Sequence, residues 1–352
     1  MYRSFRIKNF RCFKDFNMAQ LGRLNLIGGR NNTGKTTILE ALFLLIGSHN
    51  PEIPVGIADW RHLLNLPKDV YWSLFFPSSH AQSAVELSST DALGVTRNLR
   101  IRPIEPYEVQ LTAEEFEPAK AVQSPTTDFA IRGLVAEYTD SEQVSGESRI
   151  ILGPQNDLIM KRPQIPTQPT GIVLRADFPA MSDLPERFTR LQRKGDLDEL
   201  IEILRLVEPR LKSLSVGVLG GRSFLFGDIG IGETLPIGVM GDGLNRLAAI
   251  ILAISAVPDG YVLVDEIENG LHFAILKGVW RGIAASAQKW NVQIYATTHS
   301  LECIRAAHAA SAESEPYDFL YHRLEMVNGD IEIETLDQDE LETSVELNWE
   351  IR

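Results

Sequence analysis

Residues 29–36 read Gly-Arg-Asn-Asn-Thr-Gly-Lys-Thr, a complete G-x-x-x-x-G-K-[ST] pattern. Glycines at its two ends let the backbone wrap around a polyphosphate, and the loop amides and the helix that follows offer partial positive charge to it. The lysine of such a loop reaches the β- and γ-phosphates, and the hydroxyl after it ligates Mg²⁺. Gly29, Arg30, Asn31, Asn32, Thr33, Gly34, Lys35, Thr36 and Thr37 are therefore candidate nucleotide contacts, with Thr36 also a metal ligand. A Gly/Asn-rich turn could match by chance, but the flanks argue otherwise. Residues 24–28 (LNLIG) form an apolar run of strand length, and residues 37–46 (TILEALFLLI) are apolar and of helix length. Strand, glycine loop, helix is the setting in which this pattern works.

Two further segments supply the reactive side chains. Residues 261–264 (YVLV) are followed by Asp265 and Glu266. A buried strand ending in two acids can hold the metal shell with the first (Asp265) and polarise an attacking water with the second (Glu266). Residues 292–297 (VQIYAT) read as another core strand, ending in Thr298-His299-Ser300. Alone, His299 reads as an ordinary structural histidine. Following the other two motifs, it is placed to touch a γ-phosphate. The catalytic candidates are Lys35, Glu266 and His299, and the metal candidates are Thr36 and Asp265.

Residues 235–253 form a loop, then Gly241-Asp242-Gly243, then a segment with apolar residues at helical spacing. The order of phosphate loop, glycine-led helix, Asp-Glu strand and histidine strand resembles the head of an ABC-type ATPase, in the branch that holds SMC, RecF and OLD (overcoming lysogenization defect) proteins. The opening FRIKNFRCF at 5–13 and Glu40 within ILEAL are similar to that branch's usual start. The resemblance covers about 1–50 and 200–352. It implies an α/β fold: a mixed sheet around the phosphate-loop core, an antiparallel β lobe and a helical insertion. It implies ATP and Mg²⁺ as cofactors, a nucleotide contact from Arg11, and ATP held between two copies, with 241–243 of one facing the nucleotide of the other.

One departure matters. The family's signature places a serine before its glycines, whereas here the run is Met240-Gly241-Asp242-Gly243. Only helix-terminal amides remain to face an anion. Asp242 is expected to cap the helix, and to turn from the phosphates or meet Arg246. Lys35 and Asp265 lie 230 residues apart, farther than in transporter domains of this type, and no N-K-x-D guanine-reading tetrad occurs. Residues 50–200 lack heptads, so no coiled-coil arm is expected. OLD proteins often carry a Toprim nuclease after the ATPase. Asp337-Gln338-Asp339 fits the letters, but 53 residues after His299 are too few for another α/β unit, and the triplet reads as an exposed acidic turn.

The motifs at both ends must converge on one site, so 1–352 reads as a single composite domain. Within it, 1–50 carries the first strands and the loop, 51–180 a β-rich lobe, and 181–352 a helical insertion, the signature helix, and the acid and histidine strands. Short strands are expected at 86–88, 94–102, 107–112, 130–138 and 149–152, an extended connector at 154–170, and two helices in 183–208 broken at Gly195. A Mg²⁺-sensing glutamine should lie early in the lobe, with Gln82 and Gln110 as candidates. Residues 330–334 alternate like an edge strand, leading into an acidic, solvated tail.

Charge narrows the partners. Residues 1–35 hold eight Lys or Arg against one acid, a balance of +7, so with −13 overall the rest of the chain carries −20. That excludes a uniformly basic nucleic-acid binder and leaves weak DNA contact near Arg3, Arg6, Lys8 and Arg11. Two distant cysteines, Cys12 and Cys303, and no apolar run of membrane length point to a reduced, cytoplasmic protein without a membrane segment. The leading expectation is a homodimeric or larger ATPase acting as a sensor or platform for a separately encoded effector, a nuclease or toxin, in anti-phage defence. The alternatives are a RecF-like DNA-end clamp and a nucleotide-gated scaffold with little turnover.

Overall fold

A computed structural model describes residues 1–61, 72–77, 83–104, 133–152, 158–163, 169–176 and 183–346. Three sheets organise them. A six-stranded sheet forms the core, in the order Asp330–Leu336 (β16), Phe319–Val327 (β15), Leu24–Gly29 (β3), Gln293–Thr297 (β14), Tyr261–Val264 (β13) and Gly171–Leu174 (β9). All its pairings are parallel except the edge hairpin β15–β16. Every residue of β3, β13 and β14 is buried, as expected for parallel strands covered on both faces.

The period of two along these strands sorts the core into layers. Leu26, Val262, Val264, Ile294 and Ala296 face one cluster, shared with helices Asp242–Ala256 (α5), Leu276–Lys289 (α6) and Leu301–Ser311 (α7). Ile27, Leu263 and Tyr295 face the other cluster, which contains helix Lys35–Ile46 (α1). Beyond α1 lies a seven-stranded antiparallel sheet, in the order Phe13–Met18 (β2), Tyr2–Phe10 (β1), Val85–Asp91 (β4), Thr96–Pro103 (β5), Gly133–Asp140 (β6), Ser145–Leu152 (β7) and Leu158–Lys161 (β8). Gln293 fastens this sheet to the core. Buried in β14, its side chain accepts from Tyr2 N (2.8 Å) and donates to Tyr2 O (2.8 Å) and Gly22 O (2.7 Å). The Tyr2 and Tyr261 rings stack beside it, 4.7 Å apart.

The expected strands at 86–88, 94–102 and 149–152 appear as β4, β5 and β7. That at 130–138 appears as β6 from Gly133 onward, while 130–132 and 107–112 lie outside the described residues. The connector expected at 154–170 is interrupted by β8, whose Leu158 and Met160 pack on the α1-side cluster. The topology also crosses the expected segment limits at 50 and 180: β1 and β2 belong to the antiparallel lobe, and β9 belongs to the parallel core. The two helices broken at Gly195 are present, Leu184–Lys194 (α3) and Leu197–Leu204 (α4). Gly195 closes the first at φ 81, a conformation that suits a residue without Cβ.

The sequence reading missed a small sheet, Ser213–Leu219 (β10), Arg222–Asp228 (β11) and Thr234–Pro236 (β12). Its signal was available: alternating SLSVGVL and RSFLFGD around a Gly220-Gly221 hairpin. At the far end, Gln338–Glu346 (α8) follows β16. Asp337 accepts from Asp339 N and Glu340 N while Glu340 accepts from Asp337 N, each at 3.1 Å. This reciprocal capping box gives the Asp337 carboxylate a structural role in place of a nuclease one, and the Asp339 side chain takes no part in it. Among the described residues no helix is long and apolar enough to cross a membrane.

His322, in β15, is fully buried between Thr335 Oγ1 (2.9 Å from Nδ1) and Asn25 Oδ1 (3.3 Å from Nε2). Burial holds its pKa down at about 3. The unfolded chain therefore takes up a proton at this residue as pH falls through about 6.5, whereas the native state does not until about 3. Its contribution to stability is complete above the unfolded value and is lost below it, with a slope approaching ~1.4 kcal/mol per pH unit. Urea midpoints measured between pH 7 and 5 should fall more steeply for the native chain than for His322→Gln. Parallel slopes would contradict this assignment.

Candidate functional site

The parallel registers decide where the motifs end. Leu24 is level with Ile294 and Phe319, and Val262 with Ile294, so β3, β13 and β14 deliver the phosphate loop, Asp265-Glu266 and Thr298-His299 to one sheet edge. Ligands of open parallel sheets bind at that carboxyl edge.

The loop adopts the backbone its sequence requires. Gly34 sits at φ 86, and a Cβ there would lie 2.7 Å from the Phe13 ring. Thr33 braces the turn by donating its hydroxyl to Arg30 O (2.8 Å), while Arg30, Asn31 and Asn32 are exposed at the tip. Lys35 Nζ lies over the loop, donating to Gly29 O (2.6 Å) and Arg30 O (2.9 Å). Partial burial lowers its pKa, against the opposing pull of Glu266, Asp265 and Glu268. Thr37 is buried behind the loop.

Thr36 Oγ1 lies 3.2 Å from both carboxylate oxygens of Asp265. Thr297 Oγ1 donates to Asp265 Oδ1 (2.6 Å) and accepts from Glu266 N (2.8 Å). A hydroxyl facing a carboxylate is a hard-oxygen pair suited to Mg²⁺ rather than a softer ion, so the residues present fit that metal. The Glu266 backbone is left-handed at φ 47, uncommon for a residue with a side chain and characteristic of functional turns. Its carboxylate, 42% exposed, accepts from Asn269 Nδ2 at 2.8 Å. His299 Nδ1 lies 4.0 Å from Glu266 Oε1 and 3.3 Å from Glu268 Oε1.

Arg246, on α5, is buried, and its guanidinium donates to the carbonyl oxygens of Arg175, Asp265 and Glu266. It braces the acid strand from beneath; of the two expectations for Asp242, turning from the phosphates or meeting Arg246, no bond to Arg246 is present among the described residues, and Asp242 is exposed. Burial lowers its pKa, opposed by Asp265, Glu266 and Glu268. Asp242 does not cap the helix either. Gly241 holds the cap position at φ 123 without a side-chain bond, and Asp242 is an exposed first helical residue. The backbone turns there because Gly243 packs against the turn after Glu266: a Cβ on it would lie 2.4 Å from Gly270 O. No backbone bond joins 241–243 to 29–37 among the described residues.

Arg11 lies behind the loop. Its NH1 is 2.6 Å from Glu40 Oε2, and Arg61 Nε is 2.6 Å from Glu40 Oε1. Glu40 is fully buried on α1, so one carboxylate is shared by two guanidiniums, from the β1–β2 turn and from the end of helix Ile53–Trp60 (α2), leaving a net positive charge. Burial lowers the pKa of Arg11, which Glu40 opposes. Gln82 and Gln110 lie outside the described residues. Sequence reasoning missed Arg61, Glu268, Asn269 and Thr297, and named Arg246 only as a partner for Asp242. Only Glu268 and Asn269 carried a signal, their adjacency to the two acids.

With the geometry in place, comparison with known proteins is informative. Residues 105–305 match the family described as AAA domain, putative AbiEii toxin, Type IV TA system, which is more than half of the 352 residues. The chain belongs to this family. Residues 1–96 also match the AAA ATPase domain family. An ATP/GTP phosphatase of Helicobacter pylori is 24% identical over 324 residues, 86% of each chain. The fold is similar to an Smc head domain with an extended coiled coil, bound to the C-terminal domain of ScpA and derived from Pyrococcus furiosus. That match has a TM-score of 0.51 and 12% identity, and covers 99% of both chains. The protein is an ATP-hydrolysing AAA-family enzyme whose fold is similar to that of an Smc head.

The Glu40 arrangement has a measurable consequence. Removing one partner of a buried ion pair leaves an uncompensated charge, at roughly 3–5 kcal/mol. Glu40→Ala should lose stability of that order in urea unfolding, because Arg11 keeps only 16% side-chain exposure. Arg61→Ala should lose clearly less, because Arg61 is 36% exposed and Arg11 still pairs with Glu40. Equal losses in the two variants would count against the shared carboxylate as the fastening point.

Proposed function

We propose that the chain is a Mg²⁺-dependent ATPase that closes on ATP as a dimer and gates a separately encoded effector. What carries the reading is the convergence of Lys35, Thr36, Asp265, Glu266 and His299 on one sheet edge. Lys35 leaves the loop carbonyls for the β- and γ-phosphates, and the 29–34 amides hold the remaining oxygens. Thr36 and Asp265 hold the metal, which when bound supplies charge neutralisation across the phosphates. Arg11 contributes positive potential from behind the loop. Glu266 orients the attacking water and takes its proton, and His299 touches the γ-phosphate. Thr297 keeps Asp265 in place, and Asn269 does the same for Glu266.

Among the described residues no backbone bond engages the amides at 241–243, which supports their facing the nucleotide of a second copy. The family's description, naming a toxin of a toxin–antitoxin system, supports a role in defence, with a nuclease or toxin as effector. The Asp337 carboxylate is committed to capping α8, which favours an effector on another chain. That cap and the −13 net charge argue against DNA cleavage and for weak, salt-sensitive DNA contact at most. Two free cysteines accord with a cytoplasmic location.

Glu266→Gln should keep ATP binding and lose hydrolysis by on the order of 10²-fold or more, whereas Lys35→Ala should lose binding. Wild-type turnover in Glu266→Gln would remove Glu266 from the chemistry.

Assembly is tested separately. Sedimentation of Glu266→Gln should show a larger species with Mg-ATP than without it, since a site completed in trans links association to nucleotide. Gly243 cannot be used to block this interface, because any side chain there meets Gly270. Val239, 70% exposed and two residues before Gly241, is the better position. Val239→Glu in the same background should abolish the ATP-dependent shift. An identical oligomer under all these conditions would discard the sandwich.

A further inference from the structure

The turn after the two acids contains a carboxylate with no role in the scheme above. Glu268 has a side chain only 10% exposed. Its Oε1 accepts from Thr298 Oγ1 (2.8 Å) and from His299 N (3.0 Å), and lies 3.3 Å from His299 Nδ1. Its Oε2 is buried without a hydrogen-bond partner among the described residues. Burying a carboxylate with one oxygen unsatisfied is costly, and nothing in the packing of the turn requires an acid there. The bonds it does make all go to the two residues that carry the histidine.

We propose that Glu268 is a positioning residue for ATP hydrolysis: it fixes the backbone and the imidazole of His299 so that Nε2 is presented to the γ-phosphate. This rests on the assignment of His299 to that phosphate. A carboxylate only accepts hydrogen bonds, so its approach to Nδ1 calls for a proton there; phosphate oxygens are acceptors too, so the ring meets the γ-phosphate by donating from Nε2 as well, with the carboxylate balancing the charge of that doubly protonated form. At 3.3 Å the contact is long, as such contacts are before substrate closes the site. The two bonds from Thr298 and His299 N set the carboxylate independently of the ring. The neighbouring residue acts in parallel, since Asn269 holds Glu266. One short turn, Glu268-Asn269, thus holds both groups that face the terminal phosphate.

The test uses the full-length chain with ATP and Mg²⁺. Glu268→Ala should lower kcat about 10-fold, as should His299→Ala, with KM and the affinity for a fluorescent ATP analogue within about 2-fold of wild type. Glu268→Ala/His299→Ala should be no slower than His299→Ala, because Glu268 acts through the ring. Without nucleotide, the ring-nitrogen NMR shifts of His299 should report a proton on Nδ1, and Glu268→Ala should redistribute it. Glu268→Gln keeps an oxygen for Thr298 and His299 N. It serves in the same comparisons if the alanine variant does not fold, with kcat between wild type and His299→Ala. Multiplicative losses in the double variant, or wild-type kcat in Glu268→Ala and Glu268→Gln while His299→Ala is impaired, would overturn the inference alone. Wild-type turnover in His299→Ala would overturn both the inference and the assignment beneath it.

Discussion

The site depends on a carboxylate that three strands must bring into place. Asp265 meets Thr36 from the phosphate-loop helix and Thr297 from the neighbouring strand, and those residues are distant in sequence. The meeting requires β3, β14 and β13 to lie parallel and in one register. A slip of one residue would turn Asp265 toward the opposite layer. Buried apolar residues on both faces of these strands hold the register, and Arg246 secures it by tying the carbonyls of Asp265 and Glu266 to α5.

The antiparallel lobe belongs to the same construction. Gln293 is in a core strand, yet its amide is spent on Tyr2 and Gly22, so the lobe cannot swing freely over the loop. Glu40 does the equivalent on the other side of α1, holding Arg11 and Arg61 against the helix that starts at Lys35. Two buried polar groups thus couple the nucleotide edge to a sheet that carries none of the phosphate-loop, acid or histidine motifs. Gln293 makes three hydrogen bonds and Glu40 pairs with two guanidiniums, so neither polar group is buried without a partner.

The 241–243 segment illustrates how tertiary context changes the meaning of a motif. By letters it is a weakened signature, lacking the hydroxyl. In the fold, Gly243 is required because the turn after Glu266 lies against it, and Asp242 stays in solvent. The acid and signature segments therefore touch within one chain, so movement of either is felt by the other.

Much of this was legible in the residues. The phosphate loop, the paired acids, the histidine strand and the helices broken at Gly195 are local: each is specified by a spacing, an apolar run or a glycine with positive φ. The hairpin at Gly220-Gly221 was equally local and was overlooked. Other features were not legible, for a physical reason. Arg246, Thr297 and Arg61 act through side chains that reach across elements, and no short-range pattern encodes such contacts. The placement of β9 in the core and of β1 and β2 in the lobe depends on which hydrogen-bonding edges remain open, a property of the assembled sheets. The sequence by itself determined which groups could handle a nucleotide. The tertiary structure alone decided which groups hold them still, because positioning is a matter of distance between residues that the chain keeps far apart.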